Sequence, residues 1–154
     1  MKECEWQQKL IDSTVEFWGG TTLVDAGDEL HVVCFDDASK EFVHMYTVDG
    51  QWQREQLSGL GQFSWVNSVA TLDQNDNIHF AFCDYYDQQM TYVTNESGTW
   101  TSQYVPVSGD KSFWPENIVL DSQGYVHIIY DQWPDFKRVT NRTGEWITDL
   151  VGSV

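Results

Sequence analysis

The chain has 154 residues, enough for one compact domain, and its aromatic content of 15% is too high for a disordered protein. With 24 acidic residues against 8 Lys and Arg, the formal net charge is −16, and no basic cluster is present that could bind nucleic acid. No apolar run approaches the roughly 20 residues of a membrane-spanning helix, so we expect no membrane insertion.

One short pattern occurs three times along the chain, about 48 residues apart. It runs over Asp25–His31, Asp73–His79 and Asp121–His127, with the same spacing from Asp to His in each copy. An apolar run follows each His. Self-similarity at this period indicates a repeat protein, in which each unit buries its core only against its neighbours.

In chain order, the sequence predicts a lone fourth strand followed by three complete four-stranded units. The lone strand is placed at residues 5–12, because Trp6 precedes Trp52 by one period, as Trp100 precedes Trp146. The repeats cover about residues 13–57, 58–105 and 106–151. In the third repeat the expected strands are Glu116–Leu120, Val126–Tyr130, Phe136–Thr140 and Trp146–Val151, with turn residues between them.

A repeated four-stranded unit of 40 to 50 residues with a Trp signature is typical of a β-propeller blade. We therefore predict an all-β chain, a single but partial β-propeller domain over residues 1–154. The sequence from Ile118 to Asp131, together with Val139–Trp146, resembles the repeats of large sialidase-like bacterial propellers. The resemblance spans about residues 5–151 and implies the fold. It does not imply sialidase activity, because the Asp-box (Ser-x-Asp-x-Gly-x-Thr-Trp) is absent from every copy.

The number of blades predicts a partner, because closed propellers have four to eight blades and this chain supplies three. Two copies joined head to tail would form a six-bladed ring. The surplus strand at residues 5–12 fits this ring poorly. The alternatives are association with other propeller or assembly subunits, or a chain that is a fragment of a larger propeller.

Blade geometry sorts the connections onto two faces. Connections from the fourth strand to the next first strand, and from the second strand to the third, lie on what we call the loop face; the other turns lie on the turn face. Aromatic rings beside carboxylates suit sugars, since an indole stacks on a pyranose and carboxylates accept hydrogen bonds from hydroxyls. The candidate ligand-binding residues, all on the loop face, are Trp18, Trp65, Trp114, Asp84, Tyr85, Tyr86, Asp131 and Trp133. Packing between blades is an alternative explanation for the first three.

The sequence contains no recognisable catalytic or metal-binding constellation, so we predict that the protein is not an enzyme. Three copies of one Asp–His pair are better explained by a buried His that links a turn to a strand. His44 is off this pattern, and we assign it to no site. The loop carboxylates could hold calcium, but no Asp-x-Asp-x-Asp-Gly loop is present and no cofactor is assigned.

These interpretations predict a non-catalytic, lectin-like recognition module that binds glycans through its aromatic and acidic loops, as a self-assembling propeller. The alternative is a structural or scaffolding component of a surface or virion assembly, in which the blades serve only as a rigid platform. The sequence does not decide the cellular location. We favour an extracellular or surface-associated one, although the first residues contain no apolar signal region.

Overall fold

The structure is a computed structural model that describes residues 10–14, 16–60, 66–84, 88–107 and 113–153, without the side chains of residues 18 and 66. Within these ranges the chain forms twelve strands in three four-stranded antiparallel sheets. The same ranges contain no helix, and therefore none that could cross a membrane. The prediction of an all-β chain built from three four-stranded units is confirmed.

The strands of each sheet pair with one another in chain order. Sheet 1 contains β1 (Phe17–Val24), β2 (Leu30–Asp36), β3 (Glu41–Val48) and β4 (Gln51–Gln56); sheet 2 contains β5 (Val66–Leu72), β6 (Ile78–Asp84), β7 (Gln89–Thr94) and β8 (Thr101–Val105); sheet 3 contains β9 (Trp114–Leu120), β10 (Val126–Gln132), β11 (Asp135–Thr140) and β12 (Ile147–Ser153). The lone strand predicted at residues 5–12 lies mostly outside the described residues. Its described part, residues 10–12, belongs to no strand.

The first strands of the three sheets lie side by side. β1 contacts β5, and β5 contacts β9. The first strand of each sheet thus forms the edge nearest the other sheets, which we call the inner edge, and the last strand forms the opposite edge. The three sheets are therefore stacked face to face in chain order, and sheet 2 is covered on both sides.

The repeated Asp–His pattern forms the turn between the first and second strands of each sheet. Oδ1 of the Asp accepts hydrogen bonds from the backbone N–H groups two and four residues further on, in all three copies. Oδ2 faces Nε2 of the His at 3.4 Å for Asp25–His31, 3.7 Å for Asp73–His79 and 3.2 Å for Asp121–His127. Each pair thus ties a turn to its second strand, which is the structural role that the repetition indicates.

Apolar side chains from facing sheets form the core. Between sheets 1 and 2, the ring of Phe42 lies 5.1 Å from that of Phe80 and 4.6 Å from that of Phe82, measured between centroids. All three side chains are fully buried. Between sheets 2 and 3, Met90 packs in one cluster with Tyr130.

A tryptophan from the next sheet crosses each of these two junctions. Nε1–H of Trp100 donates a hydrogen bond to Oε1 of Glu55 on β4, at 2.7 Å. Trp146 meets the ring of Tyr92 on β7 edge to face, with centroids 5.7 Å apart. This regular column of tryptophans therefore joins sheets to one another.

The thiols of Cys34 and Cys83 are free and buried. Burial raises the pKa of each thiol to about 12. Both therefore stay protonated at neutral pH and are poor nucleophiles or metal ligands.

The buried aromatic cluster provides a test of the packing between sheets 1 and 2. Replacing Phe42 with Ala is expected to lower the free energy of unfolding by about 3–5 kcal/mol, because it leaves a cavity among rings of both sheets. Urea denaturation would measure the change. Tyr104→Ala, at a side chain that is 55% exposed, is the control, and an equal effect of both substitutions would contradict this account.

Candidate functional site

The structure describes only part of the predicted loop-face site. The side chain of Trp18 and all of Trp65, Tyr85 and Tyr86 lie outside the described residues. Whether these residues contact a ligand stays a prediction.

Two of the described loop-face residues are tied into the fold. Oδ1 of Asp131 accepts a hydrogen bond from the backbone N–H of Trp114, at 3.0 Å, which fixes the start of β9 to β10. In sheet 1, Oδ1 of Asp36 likewise accepts a hydrogen bond from the backbone N–H of Glu16, at 3.3 Å. One oxygen of Asp131 is therefore committed to the sheet.

Asp84 and Trp133 differ in their access to solvent. Asp84, at the end of β6, is buried. Trp133 lies in the turn between β10 and β11 with 81% of its surface exposed. Of the described aromatic residues predicted on the loop face, Trp133 offers the most open ring to a ligand, whereas Trp114 is partly buried.

A polar cleft on the turn face separates sheets 2 and 3, and we call it the turn-face cleft. A cavity of about 420 Å³ lies between the Asp–His turns of the two sheets. A second cavity of about 290 Å³ adjoins it towards β7 and β8. Glu96 and Gly124 line both cavities. The cleft lies on the face opposite to the one that the sequence predicts for binding.

The two junctions differ at the fourth position of the Asp–His turn. At the junction of sheets 1 and 2 this position is Asp76, whose Oδ1 accepts a hydrogen bond from the backbone N–H of Ala26 at 3.0 Å and so bridges the two turns. The equivalent residue of sheet 3 is Gly124. A Cβ atom built there meets nothing within 4 Å. The junction of sheets 2 and 3 therefore lacks the bridge and stays open.

The left-handed backbone at this position does not itself require glycine. Gly124 has φ of +82°, and Asp28 and Asp76 adopt φ of 64° and 62° at the same position of their turns. Asp is among the residues that tolerate this conformation. The missing side chain, not the backbone, is what distinguishes the third turn.

Several polar groups of the cleft are available to a ligand. The carboxylate of Glu96 and the side chains of Gln74, Asn75, Ser122 and Gln123 line the larger cavity and make no hydrogen bond within the described part of the chain. Leu72 and Leu120 add apolar surface to the same cavity. The cleft thus combines amides, a hydroxyl and one free carboxylate with an apolar floor.

The other two carboxylates of the cleft are already occupied. Burial alone would raise the pKa of Asp73, but hydrogen bonds from the side chain and backbone of Asn77 lower it below its usual value. Burial alone would likewise raise the pKa of Asp121, but hydrogen bonds from the backbone of Gln123 and from the side chain of His127 lower it below its usual value. Both groups are ionised at neutral pH and shape the turns.

No metal site is found in the part of the chain that the structure describes. Those residues include no group of three or more His, Cys, Asp or Glu side chains that could hold an ion. Calcium, which the sequence left open as a ligand of the loop carboxylates, therefore has no ligand set among them.

Comparison of the chain with protein-family models and with curated proteins finds no match. Among solved structures, the chain is similar to a fucose lectin from Kordia zhangzhouensis that was solved in complex with methyl-fucoside. The superposition gives a TM-score of 0.57 at 16% sequence identity, and it covers 88% of this chain and 100% of that chain. At this identity the likeness shows a shared fold.

The origin of the cleft can be tested without a ligand. Gly124→Asp is expected to restore the missing bridge, because the new carboxylate would accept a hydrogen bond from the backbone N–H of Gln74, the counterpart of Ala26. Hydrogen exchange at that amide, followed by NMR, should slow about tenfold. The Ala26 amide serves as the internal control and should not change; unaltered exchange at Gln74 would refute the explanation.

Proposed function

We propose that the chain is a non-catalytic carbohydrate-binding module and that a sugar binds in the turn-face cleft. The observation that carries this proposal is the opening between sheets 2 and 3, where Gly124 stands in place of the bridging Asp and where Glu96 and a set of side-chain amides make no hydrogen bond within the described part of the chain. The larger cavity, about 420 Å³, lies at the small end of the range for ligand pockets. The likeness to a fucose lectin supports the proposal at the level of fold.

The chemistry of the cleft suits a sugar with several hydroxyl groups. Side-chain amides such as those of Gln74 and Asn75 both donate and accept hydrogen bonds, so they can serve hydroxyls of either orientation. The carboxylate of Glu96 accepts two hydroxyl protons in charge-assisted bonds. Leu72 and Leu120 offer contact to the apolar C–H face of the ring.

Charge restricts which sugars fit. The larger cavity is lined by Asp73, Glu96 and Asp121, and none of the described residues that line it is Lys or Arg. Repulsion between like charges therefore disfavours sialylated, sulfated and uronic sugars. Methyl-fucoside, which is neutral and is the ligand of the similar structure, is the first probe to use.

Titration calorimetry with methyl-fucoside and a panel of neutral and anionic glycosides tests the proposal. Wild-type protein is expected to bind a neutral sugar, and Gly124→Asp is expected to weaken that binding at least about tenfold, because it fills the cleft. Gly59→Asp is the matched control: Gly59 also has a positive φ, of +89°, and open space around it, but it lies in the link between sheets 1 and 2. It should bind as wild type does.

The same titrations separate the competing proposals. If Trp133→Ala abolishes binding while Gly124→Asp retains it, the site lies on the loop face and the cleft proposal is wrong. If no sugar binds to the wild-type protein, the structural or scaffolding role becomes the better account.

We further propose that the three sheets are blades of a β-propeller that a second copy completes. The outer faces of sheets 1 and 3 support this, because they expose residues whose repeat equivalents are buried. Leu30 on sheet 1 is 38% exposed, whereas Ile78 and Val126 are 1% and 2% exposed. Phe136 on sheet 3 is 42% exposed, whereas Phe42 and Met90 are fully buried.

A head-to-tail contact would bring these two outer faces of neighbouring copies together. The middle of the outer face of sheet 1 is already buried at Val43 and Met45. The contact available to a second copy is therefore the strip near the turn face, with Val24 and Leu30.

Light scattering measures this association directly. We expect the mass of two 17.8 kDa chains for wild-type protein and of one chain for Leu30→Glu, because a charge in this strip on the outer face of sheet 1 cannot be buried without a partner. Tyr104→Glu, at an exposed position of sheet 2, should remain dimeric. A monomeric wild-type protein would exclude the two-copy ring.

A further inference from the structure

Two histidines of sheet 1 form the centre of a hydrogen-bonded chain. Nδ1 of His31 lies 2.9 Å from Nε2 of His44, and the rings are nearly parallel, 8° apart. On one side, Nε2 of His31 faces Oδ2 of Asp25 at 3.4 Å. On the other, Nδ1 of His44 lies 3.0 Å from Oε1 of Glu55. His44, which the sequence assigned to no site, is therefore part of a four-residue network.

This network reaches sheet 2 through a shared oxygen. Oε1 of Glu55 accepts a hydrogen bond from Nε1–H of Trp100 as well as facing His44. The ring of Trp100 also meets the ring of His44 edge to face, with centroids 5.6 Å apart. The network thus runs from the Asp–His turn of sheet 1 to the tryptophan that docks sheet 2.

Counting protons shows that the network is one proton short when both rings are neutral. The three contacts Asp25–His31, His31–His44 and His44–Glu55 each need one hydrogen. Ionised carboxylates supply none, and two neutral imidazoles supply only one each. Satisfying all three contacts therefore requires that one of the two rings be an imidazolium.

The equivalent positions of the other sheets have no such shortage. In sheet 2, Tyr92 replaces His44, and its hydroxyl lies 2.5 Å from Nδ1 of His79. The Tyr hydroxyl supplies the proton for its contact with His79, and the neutral His ring keeps its own proton on Nε2, which faces Oδ2 of Asp73 at 3.7 Å. In sheet 3, His127 makes only its contact with Asp121.

We infer that the His31–His44 pair takes up one proton when sheets 1 and 2 dock, so that this junction is held by a proton-dependent latch. The proton completes the chain from Asp25 to Glu55 and leaves Glu55 fixed to receive Trp100. Loss of the proton leaves one of the three contacts without a hydrogen, so that two lone pairs face each other there. This property is independent of the sugar site, which lies at the other junction.

The surroundings of the pair contain two carboxylates and no cation among the contacts that the structure describes. Asp25 approaches from the turn and Glu55 from β4. Tyr46 stacks on His44 from β3, with centroids 4.8 Å apart. From the facing turn of sheet 2, Asp76 is engaged by the backbone of Ala26. These charges favour one imidazolium in the pair.

Burial acts against the charged form of His44. Burial lowers the pKa of His44 below its usual value, although Glu55 opposes the shift. The stability that a neutral His44 contributes is present above the unfolded pKa and is lost as pH falls. The proton that the pair shares affects stability in the opposite direction, because the stabilisation that it provides is lost as pH rises.

His44→Tyr tests the latch, because it copies the balanced arrangement of His79 and Tyr92 into sheet 1. We expect the unfolding equilibrium constant of wild-type protein to rise about tenfold more than that of the variant as pH increases from about 6.5 to 8.5. Urea denaturation at each pH gives both constants. Tyr104→Ala is the control and should keep the wild-type dependence.

Histidine ring NMR of the wild-type protein keeps the test decisive if the variant folds poorly. At about pH 7.5, where free histidine is mostly neutral, ¹⁵N shifts should show one imidazolium within the pair, and Glu55→Gln should reduce its population. Two neutral rings at that pH, or the same pH dependence in wild type and His44→Tyr, would overturn the inference.

Discussion

The structure depends on the need to cover both faces of a sheet. Each four-stranded sheet carries apolar residues on two sides, and neither side can be buried by the sheet itself. The central sheet shows the result: every residue of β6 is buried, from Ile78 to Asp84. The end sheets each have one neighbour, and their outer faces keep partly exposed apolar side chains such as Leu30 and Phe136. Packing between the sheets therefore follows from the need to bury apolar surface on both sides of each sheet.

Polar groups at the ends of the junctions form their hydrogen bonds independently of the packing of the core. The sheets meet tightly where Phe42 and Phe80 pack, but their turns and tryptophans contain groups that need hydrogen bonds. At one junction the solution is a carboxylate bridge from Asp76 and a histidine network that ends on Trp100. At the other junction the bridge is missing. Neighbouring copies of the same unit thus differ most where the core is not involved.

Much of the fold follows from the sequence, because strand alternation and the repeated turn are local signals. The Asp–His spacing predicts the three turns, and the Trp column marks the position of each last strand. The sheets extend a few residues beyond several predicted strands, for example to Gln132 and Ser153. Pairing across a sheet, which no local pattern records, decides those ends.

The candidate site was harder to predict, since it depends on a contact between turns 48 residues apart. Aromatic residues drew attention to the loop face, where Asp131 proves to hold the backbone of Trp114. The signal for the cleft was present as Gly124 in place of Asp28 and Asp76, but its meaning depends on knowing that Asp76 reaches Ala26. His44 was overlooked for a similar reason: its partner His31 lies on the neighbouring strand.

The difference between Asp76 and Gly124 also bears on how such an array can change over evolutionary time. A substitution at this one turn position opens or seals a gap between two sheets and touches no residue of the core. The opening and the core are then encoded at separate positions, and a repeated unit can gain or lose an opening without a loss of packing. A chain of near-identical units can in this way acquire sites of different character one junction at a time.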